Sequence, residues 1–90
     1  MNNVTPLVTV AMPVFNAGKY LQLAVQSIIY QSFRGWELII IDDGSTDDSL
    51  RDILDVDAPR IRIICDGANR GLAARLNECM DLARGQYFAR

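Results

Sequence analysis

Residues 38–48 read LIIIDDGSTDD. A run of branched apolar side chains passes directly into two adjacent carboxylates, then a glycine, two hydroxyls and two more acids. A salt-bridged surface has no use for the apolar run, and a buried core has none for the acids. Both make sense if Trp36–Ile41 (WELIII) is a strand buried on both faces, as in parallel sheets, and the acids begin where that strand emerges. Parallel neighbours need crossover connections, so helices are expected before and after it.

The flanking sequence supplies them. Leu7–Phe15 (LVTVAMPVF) reads as a first buried strand, with Pro13 at or past its end because proline cannot pair inside a central strand. Asn16-Ala17-Gly18 is a turn. From Lys19 to Gln31, Leu21, Ala24, Val25, Ile28 and Ile29 fall at helical spacing, and Gly35 closes that segment. Beyond the acids, Ser45 or Thr46 can cap a second helix. Asp47 and Asp48 would lie in its first turn, where negative charge suits the helix dipole, and Leu50, Ile53 and Leu54 form its apolar face. Ile61–Cys65 (IRIIC) is a shorter, more polar third strand, nearer an edge. A loop at Asp66–Arg70 (DGANR) leads into a helix from Gly71 to Arg84. That helix carries Leu72, Leu76, Met80 and Ala83 on one face, with Gly85 as its stop. Gln86–Arg90 (QYFAR) opens a fourth strand, and the chain ends there, which reads as a domain cut short. The order β-α-β-α-β-α-β predicts an α/β fold: a Rossmann-like open parallel sheet with helices on both faces, one incomplete domain over residues 1–90.

Composition narrows the chemistry. The chain has 90 residues, 9 basic and 11 acidic, for a net charge of -2. That balance argues against a nucleic-acid binder held by a dense positive field. There is no histidine, which removes the Ser-His triad and most zinc sites together. Two cysteines, Cys65 and Cys79, lack CxxC spacing and are expected as buried free thiols. The first residues, MNNVTPLVTV, lack the features of a signal peptide. No apolar run approaches the ~18–20 residues that span a bilayer. The expected location is the cytoplasm or the cytoplasmic face of a membrane.

In an open parallel sheet, ligands bind outside the carboxyl ends of the strands. Three segments meet that condition: Pro13–Asn16, Asp42–Ser45 and Asp66–Gly71. A carboxylate accepts hydrogen bonds and donates none, so it suits ribose hydroxyls or the imide N–H of a uracil ring. Asp43 is the candidate for that role. Asp42 points to the opposite face and stands open between ligand binding and capping its own turn; Asp47 and Asp48 are assigned to the following helix. Pro13 and Phe15 offer a stiff apolar ledge for a base, although Phe15 also fits a core position. The loop at Asn69 and Gly71 precedes a helix N-terminus, a natural anion site. Arg75 is either within reach of a phosphate there or an ordinary surface arginine. The GxGxxG fingerprint is missing after the first strand, which argues against a nicotinamide-dependent dehydrogenase. A receiver-type signalling domain would need a lysine opposite its acids, and the only lysine, Lys19, lies in the first helix.

Taken together, the P-V-F-N turn, the Q-S-F pair ending the first helix, the D-D-G-S-T-D block, the N-R-G loop and the A-R-G-Q-Y element recur in order and at the spacing of a known family. Over about Leu7–Arg90 the chain closely resembles the N-terminal nucleotide-binding half of family-2 glycosyltransferases. The resemblance implies a partial GT-A fold, a nucleotide-sugar donor (often a UDP-sugar), a saccharide or other hydroxyl acceptor, and inverting transfer. It places Pro13 and Phe15 against the nucleoside, Asp43 on the base, Asp42 beside it, and Asn69, Gly71 and Arg75 near the donor. The metal-binding D-x-D of the family follows the Gly-x-Tyr strand, beyond Arg90. No cofactor is therefore expected in this chain, while Mg²⁺ or Mn²⁺ is expected in the parent enzyme. The catalytic carboxylate is also absent, so the chain alone is expected to be inactive and prone to self-association through exposed edges. The alternative is a non-catalytic nucleotide-binding module.

Overall fold

The computed structural model describes residues 6–48, 50, 60–85 and 87–89. Its elements are β1 (Val8–Val14), α1 (Lys19–Ile29), β2 (Trp36–Asp42), β3 (Ile61–Cys65), α2 (Leu72–Leu82) and β4 (Tyr87–Ala89). The helix expected between Ser45 and Asp57 falls mainly on 51–59, outside the described residues.

The four strands form one parallel sheet in the order β3-β2-β1-β4. The chain steps outward from β1 through β2 to β3, then crosses to the far side of β1 for β4. The order therefore reverses at β1. Every residue of β2 is buried, as its unbroken apolar run requires, and β3 lies at an edge.

Strand alternation sends successive side chains to opposite faces, and each face has its helix. Leu21 and Val25 of α1 pack with Val14, Trp36, Leu38 and Ile40 on one side. Cys79 of α2 packs with Ala11, Ile39 and Ile41 on the other, with Leu76, Ile64 and Phe88 against them. Burying a side chain such as Leu21 or Ile39 contributes roughly 1.5–3 kcal/mol.

Four sequence expectations change. The buried stripe of α2 runs through Arg75 and Cys79, whereas Leu72 and Met80 are exposed. Met80 borders a groove of about 420 Å³ lined by Ala73, Leu76, Asn77, Met80 and Phe88. Pro13 lies inside β1, one residue before its end. The Val14 carbonyl accepts from Asp43 N, so the Pro13 nitrogen points the other way, toward β4, whose pairing stops at Val10; no ladder bond is lost. Gly85 does not stop α2, which ends at Leu82. A Cβ at Gly85 would sit 2.6 Å from Thr9 N, so the glycine permits close contact between the α2–β4 connection and β1. Finally, both cysteines are free as expected, but Cys65 is exposed and only Cys79 is buried.

Glu37 lies within the apolar run of β2 and is 1% exposed. Its carboxylate accepts from Thr9 Oγ1 at 2.6 Å, Arg62 Nη2 at 2.9 Å, Arg84 N at 2.6 Å and Arg84 Nε at 3.3 Å. Gly85 N donates to Thr9 Oγ1 at 2.9 Å, and Arg62 also donates to the Leu82 carbonyl. One acid thus ties β1, β3 and the end of α2 to β2. Burial raises its pKa, but the Thr9 hydroxyl, the Arg84 amide and Arg62 outweigh that and hold it below the usual carboxylate range.

Candidate functional site

The carboxyl ends of β1, β2 and β3 open on one edge of the sheet, and the loops that follow them are tied together there. Asn16, just past β1, has φ 50°, a left-handed conformation that asparagine tolerates better than most residues. Its amide donates to Ser45 Oγ at 2.9 Å. Its side-chain Oδ1 accepts from Thr46 N at 2.8 Å and Asp47 N at 3.3 Å. Gly18 N, at the start of α1, donates to Asp47 Oδ2 at 3.1 Å. Asp47, read from sequence as serving the helix after it, binds the beginning of the helix before it.

Asp42 and Asp43 diverge as alternation demands. Asp42 is buried and closes its own turn: Ser45 N donates to Oδ2 at 2.9 Å and Ser45 Oγ to Oδ1. Cys65 Sγ lies 3.9 Å from Oδ2. Asp43, also buried, turns toward α2. Its Oδ1 accepts from Arg70 N at 2.6 Å, Gly71 N at 3.2 Å and Arg75 Nε at 2.9 Å, and its Oδ2 accepts from Gly71 N at 3.1 Å. The Arg70 amide does most to hold the Asp43 carboxyl below its ordinary pKa. Burial opposes that, and Arg75 and the Gly71 amide add to it. Gly71 is the N-cap of α2, so the anion seated at this helix N-terminus is the chain's own Asp43.

Arg75 is 0% exposed. A guanidinium has five N–H donors, and this one has five acceptors to match. Nε donates to Asp43, Nη1 to Asp66 Oδ2 at 2.9 Å and to Glu78 Oε1 at 3.2 Å, and Nη2 to Asp66 Oδ1 at 2.7 Å and to the Ala68 carbonyl. Asp66 forms a two-pronged pair with Arg75 and also accepts from Ala68 N at 3.0 Å. These bonds, Arg75 foremost, hold its carboxyl far below the usual range, and Asp66 in turn pushes the Arg75 pKa up. Asn69 Nδ2 donates to the Asp43 carbonyl at 3.0 Å. Gly44, at φ 79°, would place a Cβ 3.1 Å from the Ala68 backbone, so the DDG glycine is where the β2 and β3 loops touch.

Of the residues singled out from sequence, Asp43, Asn69, Gly71 and Arg75 meet in one network. Asp42 lies on the other face, beside the Asn16–Ser45 linkage. Pro13 and Phe15 lie at the end of β1, and Phe15 is 49% exposed, so it is available to a ligand. Asn16, Ser45 and Asp66 fall in the three strand-end segments named from sequence but were given no role in the site, and Glu78 was not named. Asn16 and Asp66 each begin a recognisable turn, but nothing local signals their partners. Among the described residues, no three His, Cys, Asp or Glu side chains group to hold a metal ion. None of the helices among them is long and apolar enough to cross a membrane.

The model of the family described as glycosyl transferase family 2 matches residues 9–90. EpsE of Bacillus subtilis, provisionally named a glycosyltransferase, is 42% identical over 91 residues, covering 98% of this chain and 33% of EpsE. The chain thus spans about a third of the length of the first curated relatives it matches. Among solved structures, TarS 1-349 of S. aureus superposes with a TM-score of 0.81 at 24% identity, over 92% of this chain and 26% of that one. The mannosyltransferase PcManGT of Pyrobaculum calidifontis, solved with GDP-Man and Mn2+, gives 0.75 at 23% identity, over 90% and 25%. These structural likenesses support the same GT-A-type parallel sheet.

Proposed function

Because the chain belongs to glycosyl transferase family 2, we propose that it forms the nucleotide-binding part of an enzyme that takes a nucleotide-sugar donor, a UDP-sugar foremost. The parent would pass the sugar to an acceptor hydroxyl with inversion. The observation that carries this reading is the convergence of three loops at the carboxyl edge of the sheet, where Asp43 sits in the network and Phe15 is exposed at the end of β1.

In this reading the base rests on Phe15 and is fixed by Asp43. Oδ2 of Asp43 accepts only from Gly71 N among the described residues, which leaves it acceptor capacity for a base N–H. Asn69 holds the Asp43 backbone, and Asp42 holds the Ser45 turn that braces Asn16. Neither acid is suited to bind a metal, since the oxygens of both face the chain's own donors. A divalent cation in the parent would offset diphosphate charge as the leaving group departs, and the D-x-D to hold it is assigned beyond Arg90. The carboxylate that would deprotonate the acceptor hydroxyl is assigned there as well. The chain by itself therefore binds nucleoside weakly, does not transfer sugar, and self-associates through its exposed edges.

The test is the affinity of the chain for UDP and GDP before and after Phe15→Ala. Base–aromatic stacking is worth roughly 1–3 kcal/mol, so loss of the ring should weaken UDP binding by about tenfold. Equal affinity in the two forms would overturn the site. Sugar transfer by the purified, carrier-free chain would overturn the assignment of catalysis to the remainder of the enzyme.

A further inference from the structure

We propose that Arg75 and Asp66 are positioning residues of the nucleoside pocket, and that Arg75 does not contact the donor diphosphate. The inference rests on the nucleotide-site reading above and assigns how one wall of that site is held.

The starting point is donor arithmetic. All five N–H groups of Arg75 are engaged, and its side chain has no exposed surface. A phosphate could recruit this guanidinium only by displacing Asp43, Asp66, Glu78 or the Ala68 carbonyl. Displacing Asp43, whose side chain is 4% exposed, would strand its charge away from water, which is costly. The same bonds show what Arg75 does. It grips Asp66 at the end of β3, the carbonyl of Ala68 in the loop, and Asp43 at the end of β2. Asp43 then orders the Arg70 and Gly71 amides, and Asp66 orders the Ala68 amide. Every residue from Asp66 to Gly71 except Gly67 is thereby tied, directly or through Asp43, to one buried cation. The loop that faces the ligand edge takes its shape from a side chain that never reaches that edge.

Arginine is required for its geometry as well as its charge. Its planar fork serves Asp66 with two parallel bonds, while lysine offers a compact point charge. A direct phosphate ligand would tolerate lysine; a fork that spans four partners would not.

The experiment measures uridine and UDP binding by the chain and by its Arg75→Lys and Asp66→Asn variants, together with amide hydrogen exchange without ligand. Hydrogen bonds to charged groups are each worth about 1.5–3 kcal/mol, so both variants should lose about tenfold in affinity. The loss should be equal for uridine and UDP. Exchange at Arg70 and Gly71 should speed up by a similar factor while the β2 amides stay protected. Asp66→Asn is nearly isosteric, so a role confined to stability would leave the uridine Kd of its folded population unchanged. A loss restricted to UDP, or full binding in Arg75→Lys, would overturn the inference in favour of a phosphate contact. Unchanged exchange at Arg70 and Gly71 would overturn it even if nucleotide binding stands. Failure of the unmodified chain to bind either ligand would overturn the nucleotide-site reading, and with it the pocket these residues are assigned to hold.

Discussion

Asp43 and Arg75, 32 residues apart in sequence, meet at 2.9 Å with both side chains buried. The contact joins the end of β2 to the first turn of α2, and Asp43 simultaneously accepts the Arg70 and Gly71 amides. One carboxylate thus caps a helix to which it is not adjacent. In Asp43→Asn, an NH2 would replace one acceptor oxygen facing those amides. The expected outcome is faster hydrogen exchange over Arg70–Arg75 with β1 and β2 unaffected. Uniform acceleration across the sheet would show that the contact supports the whole fold instead.

Glu37 offers a pH test. Its folded pKa is lowered from an ordinary value of 4.5. The stability it contributes is therefore fully present above 4.5 and is lost as pH falls through the lower folded value. Asp66 behaves in the same direction, from its ordinary 3.8. Denaturant midpoints should accordingly be flat near neutrality and fall below about pH 4.5. Glu37→Gln should cost about 2 kcal/mol at pH 7 and flatten part of the acid decline. An unchanged acid limb in that variant would exclude Glu37 as its source.

Much of this arrangement was legible from residue patterns. The unbroken run Trp36–Ile41 identified a doubly covered strand, and the acids after it identified the strand end. Alternation correctly separated Asp42 from Asp43. The limits were equally physical. Periodicity gives the apolar residues of α2 but cannot show that a buried arginine holds the centre of its packed face. A single acid inside an apolar strand gives no hint of the Thr9, Arg62 and Arg84 partners that make its burial tolerable. The helix N-terminus at Gly71 was visible as an anion site, but its occupant lies 28 residues away. The bond from Gly18 N to Asp47 has no local signal either, because capping rules read only the helix that follows.

Gly85 and Gly67 make a controlled pair. A Cβ at Gly85 would lie 2.6 Å from Thr9 N and 2.8 Å from its Oγ1, whereas at Gly67 it would meet nothing within 4 Å. Gly85→Ala should cost roughly 1–3 kcal/mol as an overpacking change and loosen β4 from β1. Gly67 has φ 74°, so Gly67→Ala should carry only the left-handed backbone cost of about 1–2 kcal/mol and leave β4 amide protection unchanged. Equal loss of β4 protection in both variants would contradict the proposed close contact.

The two thiols should differ in reactivity. Cys65 is exposed at the end of β3, while Cys79 is buried between α2 and the sheet, and burial pushes its pKa up. A thiol reagent should modify Cys65 in the native chain and reach Cys79 only on unfolding. Rapid native labelling of Cys79 would show that α2 is not seated as described.

The central claim is that this chain holds the nucleoside of a sugar donor at the carboxyl edge of its sheet. Mapping amide shifts while uridine is titrated into the isotopically labelled chain tests it most directly. The expected result is saturable shifts at Phe15, Asp43, Gly44, Arg70 and Gly71. Shifts confined to the groove at Ala73, Leu76, Met80 and Phe88, or no saturable shift at millimolar uridine, would contradict it.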